Sequence, residues 1–189
     1  MTLNDKFTRS IDAKLAVTLT PTGPERAHLM LVGILSDTHD RQDRAKQGVR
    51  QLIDAGAEIL VHCGDLTVPE IVYECAERPS YFVFGNNDDD EEGIRAAIAA
   101  IQGTCLDWGG MITLAGKKIA VTHGDQRREV AKLVAQNPDY LLFGHSHVAT
   151  DDRDGPIRWI NPGALHRAEE WTVALLNLDT DGLEFLKIR

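Results

Sequence analysis

A chain of 189 residues suits a single domain that buries about 70% of its unfolded surface, so it needs neither disulfides nor a structural metal to fold. Its formal charge of −9 has the wrong sign for a general nucleic-acid binder, which holds phosphates with clustered Lys and Arg. No apolar run approaches the roughly 20 residues of a membrane span, and residues 1–29 hold no apolar core longer than Leu15-Ala16-Val17, which argues against a secretory signal. Three cysteines, Cys63, Cys75 and Cys105, odd in number and without C-x-x-C spacing, point to a reducing, cytoplasmic setting.

Residues 1–29 are rich in threonine and end in the turn-like Pro21-Thr22-Gly23-Pro24. Leu15, Val17 and Leu19 alternate with Ala16, Thr18 and Thr20. This extension therefore reads either as one half-buried strand at a sheet edge or subunit contact, or as a loosely held segment. The domain proper is expected over residues 30–189. From Met30 apolar strands alternate with amphipathic helices, the pattern of βαβ units and a largely parallel sheet.

The strand opening at Leu31 breaks into Asp37-Thr38-His39. A helix over Arg44–Ala55 places Ala45, Val49, Leu52 and Ile53 on one face, and Glu58–Cys63 is a strand running into Gly64-Asp65. A short helix from Pro69 to Glu77 leads to the strand Tyr81–Phe84 and then Gly85-Asn86. The acidic run Asp88–Glu92 reads as the N-terminal cap of a helix carrying Ile94, Ala97, Ile98 and Ile101. Met111–Leu114 and Lys118–Thr122, joined by Ala115-Gly116-Lys117, read as a hairpin that delivers His123-Gly124-Asp125. A helix over Glu129–Gln136 and a strand over Asp139–Phe143 follow, the strand ending in Gly144-His145-Ser146-His147. Hairpins turning at Asp154-Gly155 and Asp181-Gly182 flank the turn Asn161-Pro162-Gly163. The order suggests two sheets packed face to face with helices outside.

Five strand ends thus carry one or two donors each: Asp37 with His39, Asp65, Asn86, His123, and His145 with His147. Carboxylate and imidazole together suit Zn, Mn or Fe better than Ca, and seven donors exceed one tetrahedral ion but fit two ions sharing a carboxylate. His28 and His62 read as structural. His166 and Arg167 follow the Asn161 turn and could reach a substrate phosphate.

In order and spacing, these motifs resemble the calcineurin-like metallophosphoesterase superfamily. The short length without an inserted domain is similar to its small YfcE-type phosphodiesterase branch. The resemblance implies an α/β fold, a four-layer α/β/β/α sandwich of two mixed sheets. Asp37, His39 and His147 would hold one divalent ion, Asn86, His123 and His145 the other, and Asp65 would bridge both. Manganese is the first choice, with nickel, iron, zinc or magnesium as others. The implied activity is hydrolysis of phosphodiesters by attack of a metal-bridging hydroxide, with Asp65 and Asn87 catalytic and Asn87, His166 and Arg167 on the substrate side. Two divalent ions held by two carboxylates and one hydroxide keep a small positive charge, which favours a singly charged diester over a dianionic monoester.

Position 87 departs from many members, which place there a His that protonates the leaving group. An amide has no useful pKa for that transfer, so Asn87 is limited to hydrogen-bonding a phosphoryl oxygen. Substrates with good leaving groups, or protonation by water, are then expected. Competing readings are a phosphomonoesterase of the same fold, a nuclease, which the acidic charge disfavours, and a non-catalytic protein-binding scaffold with a degenerate site. All seven donors survive, which favours an enzyme. The expected partner is a small phosphoester, with no stable nucleic-acid or membrane binding and with a homo-oligomer left open.

Overall fold

The computed structural model describes residues 30–189, so the edge strand or loose segment expected over 1–29, and His28 with it, lies outside the described residues. The chain order is β1 (Leu31–Leu35), α1 (Gln42–Asp54), β2 (Ile59–His62), α2 (Glu70–Glu74), β3 (Ser80–Phe82), α3 (Glu91–Ala100), β4 (Thr104–Cys105) and β5 (Gly109–Leu114). It continues with β6 (Lys117–Thr122), α4 (Arg127–Val134), β7 (Tyr140–Leu142), β8 (Thr150–Asp152), β9 (Arg158–Asn161), β10 (Thr172–Asn177) and β11 (Gly182–Lys187).

β1 explains why its apolar run is unbroken. Val32 and Ile34 face one buried cluster, while Leu31 and Leu35 face another, so both sides of the strand are covered. It lies inside a six-stranded sheet of order β11-β10-β1-β2-β3-β4, parallel from β1 to β4 and antiparallel through β10 and β11. The second sheet, β5-β6-β7-β9-β8, is parallel over β6, β7 and β9 with an antiparallel strand at each edge. Val32, Val61, Ile119, Val121, Leu142 and Ile160 meet between the sheets. Leu35, Leu60 and Phe82 pack outward against Leu52, Ile71 and Ile94 of α1, α2 and α3. Ala120 and Leu141 pack against Leu133 of α4 on the far side. These three clusters separate four layers, helices, sheet, sheet, helix, as expected.

Some boundaries differ. In α1 the buried positions are Ala45, Gly48, Val49 and Leu52, with Ile53 only half-buried. α2 stops at Glu74 because the chain turns toward Pro79, which disfavours helix at Arg78. α4 begins at Arg127 rather than at Glu129, its first two residues being charged and invisible to apolar periodicity. β4, two residues long, gave no pattern to find. The acidic run divides: Asp90 caps α3 by accepting from Gly93 N at 3.0 Å, whereas Asp88 is buried for another purpose.

The two sheets are also clamped by charge. Arg158 of β9, 7% exposed, grips Asp151 of β8 with Nε and Nη2 at 2.7 and 3.0 Å, and reaches the Asp181 carbonyl in the β10–β11 turn at 2.8 Å as well as its carboxylate. The Arg158 hydrogen bonds hold the Asp151 carboxyl below the usual range. Partial burial opposes the charge of Asp181, but hydrogen bonds from Tyr140 and Arg158 outweigh it and hold that carboxyl low too. Removing one partner of a fully buried pair costs roughly 3–5 kcal/mol. Asp181 is 47% exposed and therefore screened, so Arg158→Met should cost about 1–2 kcal/mol near neutral pH. Depressed carboxyl pKa values contribute stability above the unfolded value near 4, lost as pH falls through the folded values. Urea unfolding curves of wild type and variant should therefore converge below about pH 4, and a gap that stays constant would show that the clamp is packing alone.

Candidate metal centre

The donor loops follow the carboxyl ends of β1, β2, β3, β6 and β7, where open α/β sheets place ligands. Five of the donor residues adopt left-handed backbone, with φ of 51° at Asp37, 47° at His39, 57° at Asp65, 65° at His145 and 57° at His147. Such a conformation costs a non-glycine residue about 1–3 kcal/mol unless its surroundings fix it. Here they do. Asp37 N donates to Gly64 O at 3.0 Å, His39 N to Asp65 O at 2.9 Å, and His145 N to the Asp37 carboxylate at 3.1 Å. Asn161 Nδ2 donates to Gly144 O at 2.7 Å and to Ser146 Oγ at 3.0 Å, holding the loop that carries both later histidines.

Two glycines are required by close approach. A Cβ on Gly85 would run into the Asp65 carboxylate, and one on Gly144 would strike Ser36 Oγ and sit 2.8 Å from Asp37 Oδ2.

The side chains converge in two groups sharing Asp37: Asp37 with His39 and His147, and Asp37 with Asp65 and His123. His147 Nε2 lies 3.1 Å from Asp37 Oδ1, His123 Nε2 3.4 Å from Asp65 Oδ2, and His39 Nε2 3.6 Å from the same Asp65 oxygen. Asp65 Oδ2 thus stands between a histidine of each group. Asp37 Oδ1, His39 Nε2 and His123 Nε2 are buried without a hydrogen-bond partner, since the short approach of His147 to Asp37 is not aligned to donate. Unpaired buried polar atoms are expensive, and three that are all ligand types aimed at one region fit a divalent cation.

The electrostatics agree. Burial raises the Asp37 carboxyl above its ordinary value despite its histidine neighbours. Burial also opposes the charge of Asp65, yet His123 and the two Asn87 donors more than offset it and leave Asp65 well below the usual carboxylate range. Burial works against an imidazolium at His123, but Asp65 and Asp37 lift it to about 9.

The remaining expected residues are placed as follows. His145 is exposed, its ring edge-on to His123 with centroids 5.2 Å apart. Asn86 is exposed at the mouth, and its side chain makes no hydrogen bond among the described residues. Asn87 is turned onto Asp65: its N–H and Nδ2 donate to the two Asp65 oxygens at 2.9 and 2.7 Å. His166 packs over His39 with centroids 4.5 Å apart, and the Arg167 carbonyl accepts from His147 Nδ1 at 3.3 Å. His62 is structural as expected. It is fully buried between Thr38 Oγ at 3.0 Å and Gly64 N at 3.2 Å, and burial lowers its pKa to about 3.

Asp88 was missed as a site residue. Its carboxylate accepts from the backbone N–H groups of Asp65 at 2.9 Å, Thr67 at 2.6 Å and Gly85 at 2.8 Å, tying the second donor loop to the third. Burial raises its pKa to about 6 against those donors. The available signal was position, an Asp two residues past a strand-end donor, but it was masked by the acidic run.

Residues 30–181 match the calcineurin-like phosphoesterase superfamily domain over most of the chain. The chain belongs to that superfamily. Phosphodiesterase MJ0936 of Methanocaldococcus jannaschii is 23% identical over 163 residues, 84% of this chain and 98% of the relative. A probable metallophosphoesterase of Methanothermobacter thermautotrophicus is 26% identical over 170 residues, 85% of this chain and 92% of the relative. Among solved structures, an archaeal phosphodiesterase superposes with a TM-score of 0.77 at 21% identity, covering 84% of this chain and all (100%) of that one. YfcE, a phosphoesterase from E. coli, gives 0.62 at 18% identity, covering 85% and 100%. At these identities the structural likeness is one of fold.

Asn87 holds the candidate ligand Asp65 at both oxygens. Loss of such support typically weakens metal binding about 10–100-fold. Calorimetric titration of Asn87→Ala with Mn²⁺ should show that loss with the unfolding midpoint nearly unchanged; wild-type affinity would separate Asn87 from the metal centre.

Proposed function

We propose that the protein is a dinuclear-metal-dependent phosphodiesterase acting on small phosphoesters, with manganese as the first metal to try. The observation that carries this reading is the trio of unpartnered buried atoms, Asp37 Oδ1, His39 Nε2 and His123 Nε2, at the ends of parallel strands in a phosphoesterase fold. The phosphodiesterase MJ0936, alike over 84% of this chain, supports the diester assignment. Asp37, His39 and His147 would hold one ion, Asn86, His123 and His145 the other, and Asp65 both. Bound there, divalent ions would supply an activated water and charge neutralisation for in-line displacement at phosphorus.

The chain's own contribution is positional. Asp65 is held at both oxygens by Asn87, so the bridging carboxylate cannot rotate away. His123 Nδ1 is bonded to Cys63 O at 2.8 Å, which fixes the tautomer that leaves Nε2 as a ligand. The buried walls of the site, with His123 and Asp37 both at 0% exposure, exclude competing water from one side and leave the mouth formed by Asn86, His145, His166 and Arg167. His166 and Arg167 are the substrate-side groups of this reading. A cytoplasmic location belongs to it as well, supported by three unpaired cysteines.

The test is a panel of aryl diesters, cyclic nucleotides and monoesters assayed with Mn, Ni, Zn and Mg in turn, on wild type and Asp65→Ala. Diesters should be turned over best, and Asp65→Ala should lose metal binding and at least about 10³-fold in rate while remaining folded. Activity confined to monoesters would replace the diester assignment, and wild-type turnover by Asp65→Ala would remove the two-metal reading.

A further inference from the structure

Asn87 cannot protonate a leaving group, because an amide is no acid, and it is drawn toward Asp65, to which its Nδ2 donates at 2.7 Å. Beside His39 stands an imidazole in a defined state. His166 lies over His39 with ring centroids 4.5 Å apart, and Arg41 Nε donates to its Nδ1 at 3.2 Å. Arginine has no acceptor atom and keeps its proton in proteins, so this bond runs one way only. Nδ1 must present a lone pair, and the ring proton must sit on Nε2, which makes no hydrogen bond among the described residues. Arg41 keeps Asp40 at 3.3 Å, while the guanidinium of Arg167 has no ion pair among the described residues. The result is a neutral N–H donor flanked by two cations beside one ligand group, on a chain of net charge −9.

We propose that His166, with its tautomer set by Arg41, donates its Nε2–H to the leaving-group oxygen of the phosphodiester and so stabilises the charge that develops there. The inference rests on the phosphodiesterase reading above. A new P–O bond forms from the attacking water as the bond to the leaving oxygen breaks. The water's proton passes to solvent, solvent returns one to the leaving oxygen, and His166 keeps its own. Arg41 is a positioning residue, acting through the ring it orients.

The experiment uses a series of methyl aryl phosphates whose phenols range from strongly to weakly acidic, with the Mn²⁺-loaded protein. For His166→Ala the loss in kcat/KM should be small with dinitrophenolate leaving groups and grow to about ten- to a hundredfold with phenolate, so that the leaving-group dependence steepens. His166→Gln, which restores an N–H donor, should recover part of it, and Mn²⁺ affinity should not change in either variant. Independently of turnover, ¹⁵N spectra of the histidine rings should show His166 with Nε2 protonated and Nδ1 bare, shifting to mixed tautomers in Arg41→Met. A loss uniform across the series, a loss of Mn²⁺ affinity, or an Nδ1-protonated ring would overturn the assignment. Absence of wild-type diester turnover despite bound Mn²⁺ would instead fell the phosphodiesterase reading and this inference with it.

Discussion

Asp37 is the residue on which the rest of the architecture depends. Its N–H is bonded to Gly64 O, its carbonyl accepts from Leu165 N, its Oδ2 accepts from His145 N, and its Oδ1 lies 3.1 Å from His147 Nε2. One fully buried residue therefore ties together the loops after β1, β2, β7 and β9. A carboxylate sealed from water is stable only where its lone pairs are used. The fold uses three of those four points for main-chain and loop geometry and leaves Oδ1 for the site. Around this hub the left-handed backbone of five donor residues becomes intelligible. Each is locally unfavourable, and each is over-determined by bonds from a different strand end, so the strain is distributed over an assembly that forms only when both sheets are in place.

That dependence explains which parts of the molecule could be read from the chain alone. The apolar runs of β1, β2, β6 and β7 announce buried strands, and a polar donor immediately after each run marks the sheet's carboxyl end. The layer order and the convergence of Asp37, His39, Asp65, His123 and His147 were thus legible from residue type and place. Asp88 was not, because its three backbone donors lie up to 23 residues away and an acidic run ahead of a helix has a simpler local explanation. The link from Asn87 to Asp65 was hidden for the same reason. Its residue type was read against a substrate, whereas the fold brings it back onto Asp65, 22 residues upstream. Arg41 and His166 are 125 residues apart, and no periodicity relates an exposed helix start to a loop across the mouth. Local pattern reports what a residue could do, and only the tertiary fold reports what it is already doing.

The division of labour between the two sheets follows from the same logic. The six-stranded sheet supplies Asp37, His39, Asp65 and Asn86 from consecutive parallel strands β1, β2 and β3, the loops after β2 and β3 being cross-bonded through Asp88. The five-stranded sheet supplies the later histidines from β6 and β7, with β9 furnishing Asn161 as a brace. The two halves of the donor set meet where Gly144, after β7, lets backbone pass against Ser36 and the Asp37 carboxylate, while Gly85 allows the same close approach to Asp65 within the first sheet. The charged clamp of Arg158 lies away from these donor loops, joining β8 and β9 to the β10–β11 turn, so the relative position of the sheets does not rely on the donors themselves.

This separation has an energetic consequence for the site. A fold held by its apolar layers and by a remote clamp can keep three buried ligand atoms unpaired, at a cost of about 1–3 kcal/mol each, without collapsing the loops that carry them. For the proposed centre, loops fixed in this way would leave little ordering to be supplied by an ion's binding energy. In the proposed centre the same preorganisation would set cation against proton, because His123, lifted to about 9 by Asp65 and Asp37, would have to give up its proton to serve as a ligand.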